Sequence, residues 1–117
     1  MRTVLIVEDD SEITDYLRMS LTLEGCDAHV TPSRDQAIEF IQKNGKPDAI
    51  VLDWHMPGIG VEEFINKLTS ITPQFSRLVL TTAAQDADDA AKKFNIPEVL
   101  RKPYTADKLI DQIDGCK

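Results

Sequence analysis

Five short apolar runs, each followed by a stretch with helical spacing, constrain this chain more than any other feature. The first is Val4-Leu5-Ile6-Val7, ended abruptly by Glu8-Asp9-Asp10. A continuous run of this kind, rich in β-branched residues, suits a strand buried on both faces, as in a parallel sheet. Asp10 or Ser11 can cap the helix that follows. Its apolar face is Ile13, Tyr16, Leu17 and Leu21, and Gly25 is a stop signal. Residues 26–31 alternate, with Cys26, Ala28 and Val30 on one side, which reads as a short strand near a sheet edge. Ser33-Arg34-Asp35-Gln36 has the form of a capping box, and Ala37, Ile38, Phe40 and Ile41 give the second helix its apolar face. A third strand runs from Ala49 to Asp53, and Val61, Phe64, Ile65 and Leu68 mark a third helix. The fourth strand begins at Leu78 and ends at Thr81-Thr82, and a short helix is expected from Asp86 to Phe94. A fifth strand, Ile96 to Leu100, carries Pro97 near its start, which an edge tolerates. Lys102-Pro103 ends it, and Thr105 caps a last helix with Leu109, Ile110 and Ile113 inward.

Strict alternation implies an α/β fold, a doubly wound five-stranded parallel sheet with helices on both faces. Right-handed crossovers leave few topologies, and the order 2-1-3-4-5 is the commonest for five strands. With 117 residues, no linker and no low-complexity segment, the chain is expected to be a single domain over 1–117, with no second domain in it. A formal net charge of −7, without a Lys/Arg run, argues against direct nucleic-acid binding. No segment is long and apolar enough to span a membrane, and the first residues do not form a signal peptide. Cys26 and Cys116 are too few for a disulfide framework or a zinc site, and are expected as reduced thiols in a cytoplasmic protein.

In a parallel sheet the carboxyl ends of the strands share one edge, and ligands bind there where the strand order reverses. The first strand delivers Glu8, Asp9 and Asp10 to that edge, the third Asp53, the fourth Thr81 and Thr82, the fifth Lys102. Asp53 closes a buried run, and a carboxylate costs several kcal/mol to desolvate unless it is paired or at an opening. Two unit charges ~4 Å apart repel by roughly 4 kcal/mol at an effective dielectric near 20. Lys102 can offset one charge. A hard divalent cation can offset two, and carboxylate oxygens suit Mg²⁺. The inventory fits phosphoryl transfer to a carboxylate, with Asp53 as nucleophile and the lysine and threonine stabilising charge on the phosphoryl oxygens. Taken singly, each residue has a plainer reading as a helix cap, a β-former or a surface charge; their joint placement carries the inference. His29 and His55 have no third ligand at a spacing that would make a metal site.

Four segments, VLIVEDD, IVLDWHMPG, LVLTTA and RKPY, each follow their own apolar run in this order. With them the chain resembles the receiver domain of bacterial two-component response regulators along almost its whole length. The resemblance implies a flavodoxin-like receiver fold and a phosphorylation-switched signalling module. It implies no enzyme beyond a protein that catalyses its own phosphoryl transfer and dephosphorylation. Asp53 would accept the phosphoryl group from a phosphohistidine on a sensor histidine kinase or histidine phosphotransfer protein. Asp9 and Asp53 would ligate Mg²⁺, or Mn²⁺ in its place, with the His55 backbone carbonyl as a third ligand and Glu8 acting through water. Thr82, followed by Ala83, matches the switch hydroxyl, which leaves Thr81 at the preceding, usually apolar position. Lys102 would salt-bridge the phosphoryl group, and the Lys102-Pro103 bond is commonly cis in the family. A downstream target would meet the face made by the Asp86–Phe94 helix, the fifth strand and the last helix, and a homodimer formed on phosphorylation is among the partners allowed.

Three departures from the family pattern stand out. Val99 takes the usual place of an aromatic switch residue. Gly60-Val61 replaces the usual Asp-Gly after the Met-Pro turn. His55 and Ala84 occupy the variable positions that tune the lifetime of the phosphoryl group in the family.

Three other functions compete. An aspartate-nucleophile phosphatase needs a second acid two residues after the nucleophile, where His55 stands. A flavin or nucleotide binder would offer amides, glycines and hydroxyls in its first loop, where Glu8-Asp9-Asp10 would repel a phosphate. A receiver-like protein–protein interaction module that is never phosphorylated fits Val99, but not the complete set of acids, hydroxyl and lysine.

Overall fold

The computed structural model describes residues 2–54, 59–72, 77–82, 92, 98–102, 104–113 and 115–116. The elements are β1 (Thr3–Val7), α1 (Ser11–Leu23), β2 (Asp27–Thr31), α2 (Arg34–Asn44) and β3 (Ala49–Asp53). They continue as α3 (Val61–Ile71), β4 (Leu78–Thr82), β5 (Glu98–Arg101) and a last helix, α4 (Ala106–Gln112). The helix expected over Asp86–Phe94 lies outside the described residues except for Lys92, which is helical, and His55, Ala84 and Pro103 lie outside them too.

All the strands pair in parallel, in the order β2-β1-β3-β4-β5 implied by the alternation. β3 and β4 are buried along their whole length, whereas β2 is mostly half-exposed, as an edge strand must be. Helix starts follow local chemistry. The Asp10 carboxylate accepts from the Glu12 and Ile13 amides, Ser33 from Gln36, and Thr105 from Lys108. Gly25, at φ 96°, takes the left-handed conformation that ends α1 and that a side chain would disfavour.

The two-residue period of the strands sorts the apolar residues into two layers. Leu5, Val7, Ile50, Leu52, Leu78 and Leu80 pack against α2 and α3 through Ile38, Ile41, Phe64 and Leu68. Val4, Ile6, Val51 and Val79 pack against α1 and α4 through Leu17, Leu21, Leu109 and Ile113. Phe64 is fully buried, so truncating it to alanine would cost roughly 3–5 kcal/mol.

One expectation is overturned. Cys26 and Cys116 are joined in a disulfide, with Cα atoms 4.8 Å apart across a sequence separation of 90. The cause is topological. α4 lies beside α1 on the same face, and its carboxyl end arrives at the amino edge of the sheet, where β2 begins. The Arg2 amide donates to the Cys116 carbonyl at 3.1 Å, and the Asp27 amide donates to the Arg2 carbonyl at 2.8 Å. Arg2 Nη1 adds a bond to the Ile113 carbonyl at 2.6 Å. No described helix is long and apolar enough to cross a membrane.

Candidate phosphoacceptor site

Backbone pairing carries each candidate residue to the carboxyl edge of the sheet. The Glu8 amide donates to the Thr31 carbonyl at 3.2 Å, one step beyond β1. Asp53 ends β3 in register with Thr81, and the Trp54 amide donates to the Thr81 carbonyl at 2.9 Å. The Lys102 amide donates to the Thr82 carbonyl at 2.9 Å, which brings the lysine beside the end of β4. Glu8 and Asp53 are each only 4% exposed, while Asp9 is open to solvent. Asp10 is engaged in capping α1, one of the two caps expected there.

The Lys102 ammonium stands between the two buried acids, 3.1 Å from Glu8 Oε2 and 3.3 Å from Asp53 Oδ1. Burial pushes the Glu8 carboxyl up to about 7, and neighbouring Asp53 pushes the same way against the Lys102 hydrogen bond. For Lys102, burial alone would lower the pKa; the hydrogen bond to Glu8 and the charge of Asp53 overcome it, and the net shift is upward. Glu8, Asp9 and Asp53 each present an oxygen, and these atoms lie within 4.8 Å of one another. Three carboxylates against one ammonium leave an excess of two negative charges when all are ionised. An all-oxygen donor set short of positive charge fits a hard divalent cation such as Mg²⁺ or Mn²⁺.

Thr81 and Thr82 are both buried. Thr81 shares the α1/α4 side of the sheet with Val79, and its hydroxyl has no hydrogen-bond partner among the described residues. The Tyr104 hydroxyl is buried and likewise has no hydrogen-bond partner among the described residues. Burial and the charge of Glu8 raise the Tyr104 pKa, while the closeness of Thr81 opposes them without reaching hydrogen-bond geometry. Tyr104 is thus a packing residue against the α1/α4 layer, whereas Val99 is half-buried against the other.

Arg34 escaped the sequence reading, which saw it only inside a capping box. Its guanidinium donates to the carbonyls of Asp53 at 3.1 Å, Trp54 at 2.6 Å and Ile59 at 2.9 Å. A signal was available. A cation at the first position of a helix opposes the helix dipole, so its purpose must be sought elsewhere.

An open parallel sheet with three acids and a lysine gathered at its switch point can be set beside known proteins. Residues 4–114 match the response regulator receiver domain family. The chain belongs to that family, the receiver domains of two-component signalling. It is 30% identical over 112 residues to a response regulator receiver protein of Anaeromyxobacter sp. strain Fw109-5, covering 95% of this chain and 47% of that one. It is 30% identical over 108 residues to the response regulator MprA of Mycobacterium sp. strain KMS, covering 92% and 46%. The chain therefore spans about half the length of the curated relatives it matches. In fold it is similar to chemotaxis protein CheY4 of Vibrio cholerae, with a TM-score of 0.85 at 21% identity and 97% of each chain covered.

Proposed function

We propose that this chain is a phosphorylation-switched signalling module whose acceptor is Asp53. The observation that carries the reading is the Lys102 ammonium held between Glu8 and Asp53, beside the exposed Asp9. An Asp53 carboxylate oxygen attacks the phosphorus of a phosphohistidine. The phosphorus–nitrogen bond breaks, its electron pair leaves with the imidazole, which takes up a proton, and an aspartyl phosphate remains. Lys102, already in reach of Asp53 Oδ1, turns its N–H donors to the phosphoryl oxygens as negative charge gathers there. Glu8, Asp9, Asp53 and the His55 carbonyl are the residues that would hold Mg²⁺. When bound, the ion supplies positive charge that relieves the carboxylate repulsion and stabilises the transferring group. Thr82 supplies the hydroxyl that meets the phosphoryl group.

The donor is a sensor histidine kinase or a histidine phosphotransfer protein, and the residues from β5 through α4 form part of the surface offered to a target. Phosphorylation shifts an equilibrium between conformers that differ in that surface. The chain acts in the cytoplasm as one domain over 1–117, and its only catalysis is on its own acyl phosphate. Incubation with acetyl phosphate and Mg²⁺, read by intact mass, tests the reading. One phosphoryl adduct is expected, absent in Asp53→Asn and abolished by EDTA. No adduct at any Mg²⁺ concentration sinks it, and leaves the interaction module that is never phosphorylated.

A further inference from the structure

One side chain fastens the connection between β3 and α3 on both sides of residues 55–58. Arg34 is the first residue of α2, directly after the Ser33 cap, and is 3% exposed. Both facts are locally unfavourable. A cation in the first turn opposes the helix dipole, and a buried charge must recover its lost hydration from new partners. The recovery comes from another element. Nη2 donates to the Asp53 and Trp54 carbonyls and Nη1 to the Ile59 carbonyl, so the planar fork grips the chain before and after residues 55–58. Charge-assisted bonds of this kind are about twice as strong as neutral ones. The Asp53 charge also favours the ionised guanidinium, although burial leaves the Arg34 pKa lowered on balance.

We infer that Arg34 is a positioning residue for the acceptor: by holding the backbone around Asp53 and Ile59 it fixes the direction in which the Asp53 carboxylate meets the phosphoryl group. The inference rests on the reading of Asp53 as phosphoacceptor. Its physical basis is the rigid peptide plane. Holding the Asp53 carbonyl sets the rotation about the Cα–C bond of Asp53, and that limits the rotamers open to its side chain. An acceptor held in one attack geometry reacts faster than one that must find it. Lysine cannot replace the fork, because a point ammonium lacks the fixed donor geometry that serves three carbonyls at once.

Arg34→Lys and Arg34→Ala test this beside the wild type. Arg34→Lys is expected to keep the wild-type circular dichroism. At saturating Mg²⁺ it should take phosphoryl groups from acetyl phosphate on the order of tenfold more slowly. Arg34→Ala should be slower still, and recover with millimolar guanidinium but not with sodium at equal ionic strength. Hydrogen exchange in the peptide covering 53–60 should quicken in Arg34→Lys while β1 and β4 stay protected. A wild-type rate in Arg34→Lys overturns the inference. So does a loss that guanidinium cannot restore and that tracks the folded fraction, since that marks a purely structural role. If the wild type itself takes no phosphoryl group, the acceptor reading has failed. Unchanged exchange at 53–60 would then overturn the clamp separately, and faster exchange would retain it.

Discussion

Lys102 donates to Glu8 at 3.1 Å across 94 residues of chain, and the acid it meets is almost wholly buried. Glu8 is therefore pulled two ways: burial favours the neutral acid, the ammonium favours the carboxylate, and burial wins, leaving its pKa at about 7 against an ordinary 4.5. At pH values between these two, the folded protein keeps a proton that the unfolded chain has released. Glu8 then contributes most to stability below about 4.5, and the contribution is lost as pH rises to about 7. In EDTA, the stability of wild type minus that of Glu8→Gln should fall between pH 5 and 7 and level off above. Urea unfolding at stepped pH measures it, and a flat difference would refute the raised pKa.

The same acid should report on its two neighbours with opposite signs. Asp53 raises the Glu8 pKa by charge and by hydrogen bonding, while Lys102 lowers it. Carboxyl carbon NMR should therefore show the Glu8 midpoint moving down in Asp53→Asn and up in Lys102→Met. An unmoved midpoint in both variants would mean that burial alone governs the site.

Thr81 and Thr82 should separate by substitution. The Thr81 hydroxyl is buried without a partner among the described residues, so Thr81→Val removes an unmet polar group at nearly constant shape. Its stability should be unchanged or higher by up to about 1 kcal/mol, read by urea unfolding. Thr82→Ala should slow phosphoryl transfer from acetyl phosphate at unchanged Mg²⁺ affinity. If Thr81→Val is the slow variant instead, the switch hydroxyl belongs to Thr81.

Joining Cys26 to Cys116 closes a loop over a sequence separation of 90. Constraining the unfolded chain over such a span contributes up to about 4–5 kcal/mol. The Cys26→Ser, Cys116→Ser double variant should lose stability of that order against the oxidised protein, by urea titration. Its rate of phosphorylation should be unchanged, because the bridge lies at the amino edge of the sheet. A change in rate with equal stability would show that the bridge reaches the site.

The strand order and the gathering of Glu8, Asp9, Asp53 and Lys102 were legible because a parallel sheet buries its central strands on both faces, and the runs ending in these residues carry that signature. The cap at Asp10 and the edge character of β2 were legible for equally local reasons. The disulfide was not, since sequence spacing does not say that α4 returns to the start of β2. Arg34 was missed because its partners lie 19 to 25 residues downstream on another element, where no periodic pattern points. The strand pattern says only that Thr81 and Thr82 point apart, so the assignment of the switch hydroxyl to Thr82 rests on the resemblance and not on periodicity.

That alternation has a further consequence. Consecutive residues of a strand address different halves of the molecule, so Thr81 looks toward α1, α4 and Tyr104 while Thr82 continues the row of Leu78 and Leu80 toward α2 and α3. Two neighbouring letters with the same hydroxyl are thus wired to opposite sides of the sheet. If Thr82 grips the phosphoryl group as proposed, the α2/α3 side would be the first to feel it, and a slip of one residue in evolution would redirect the message without altering the chemistry that produced it.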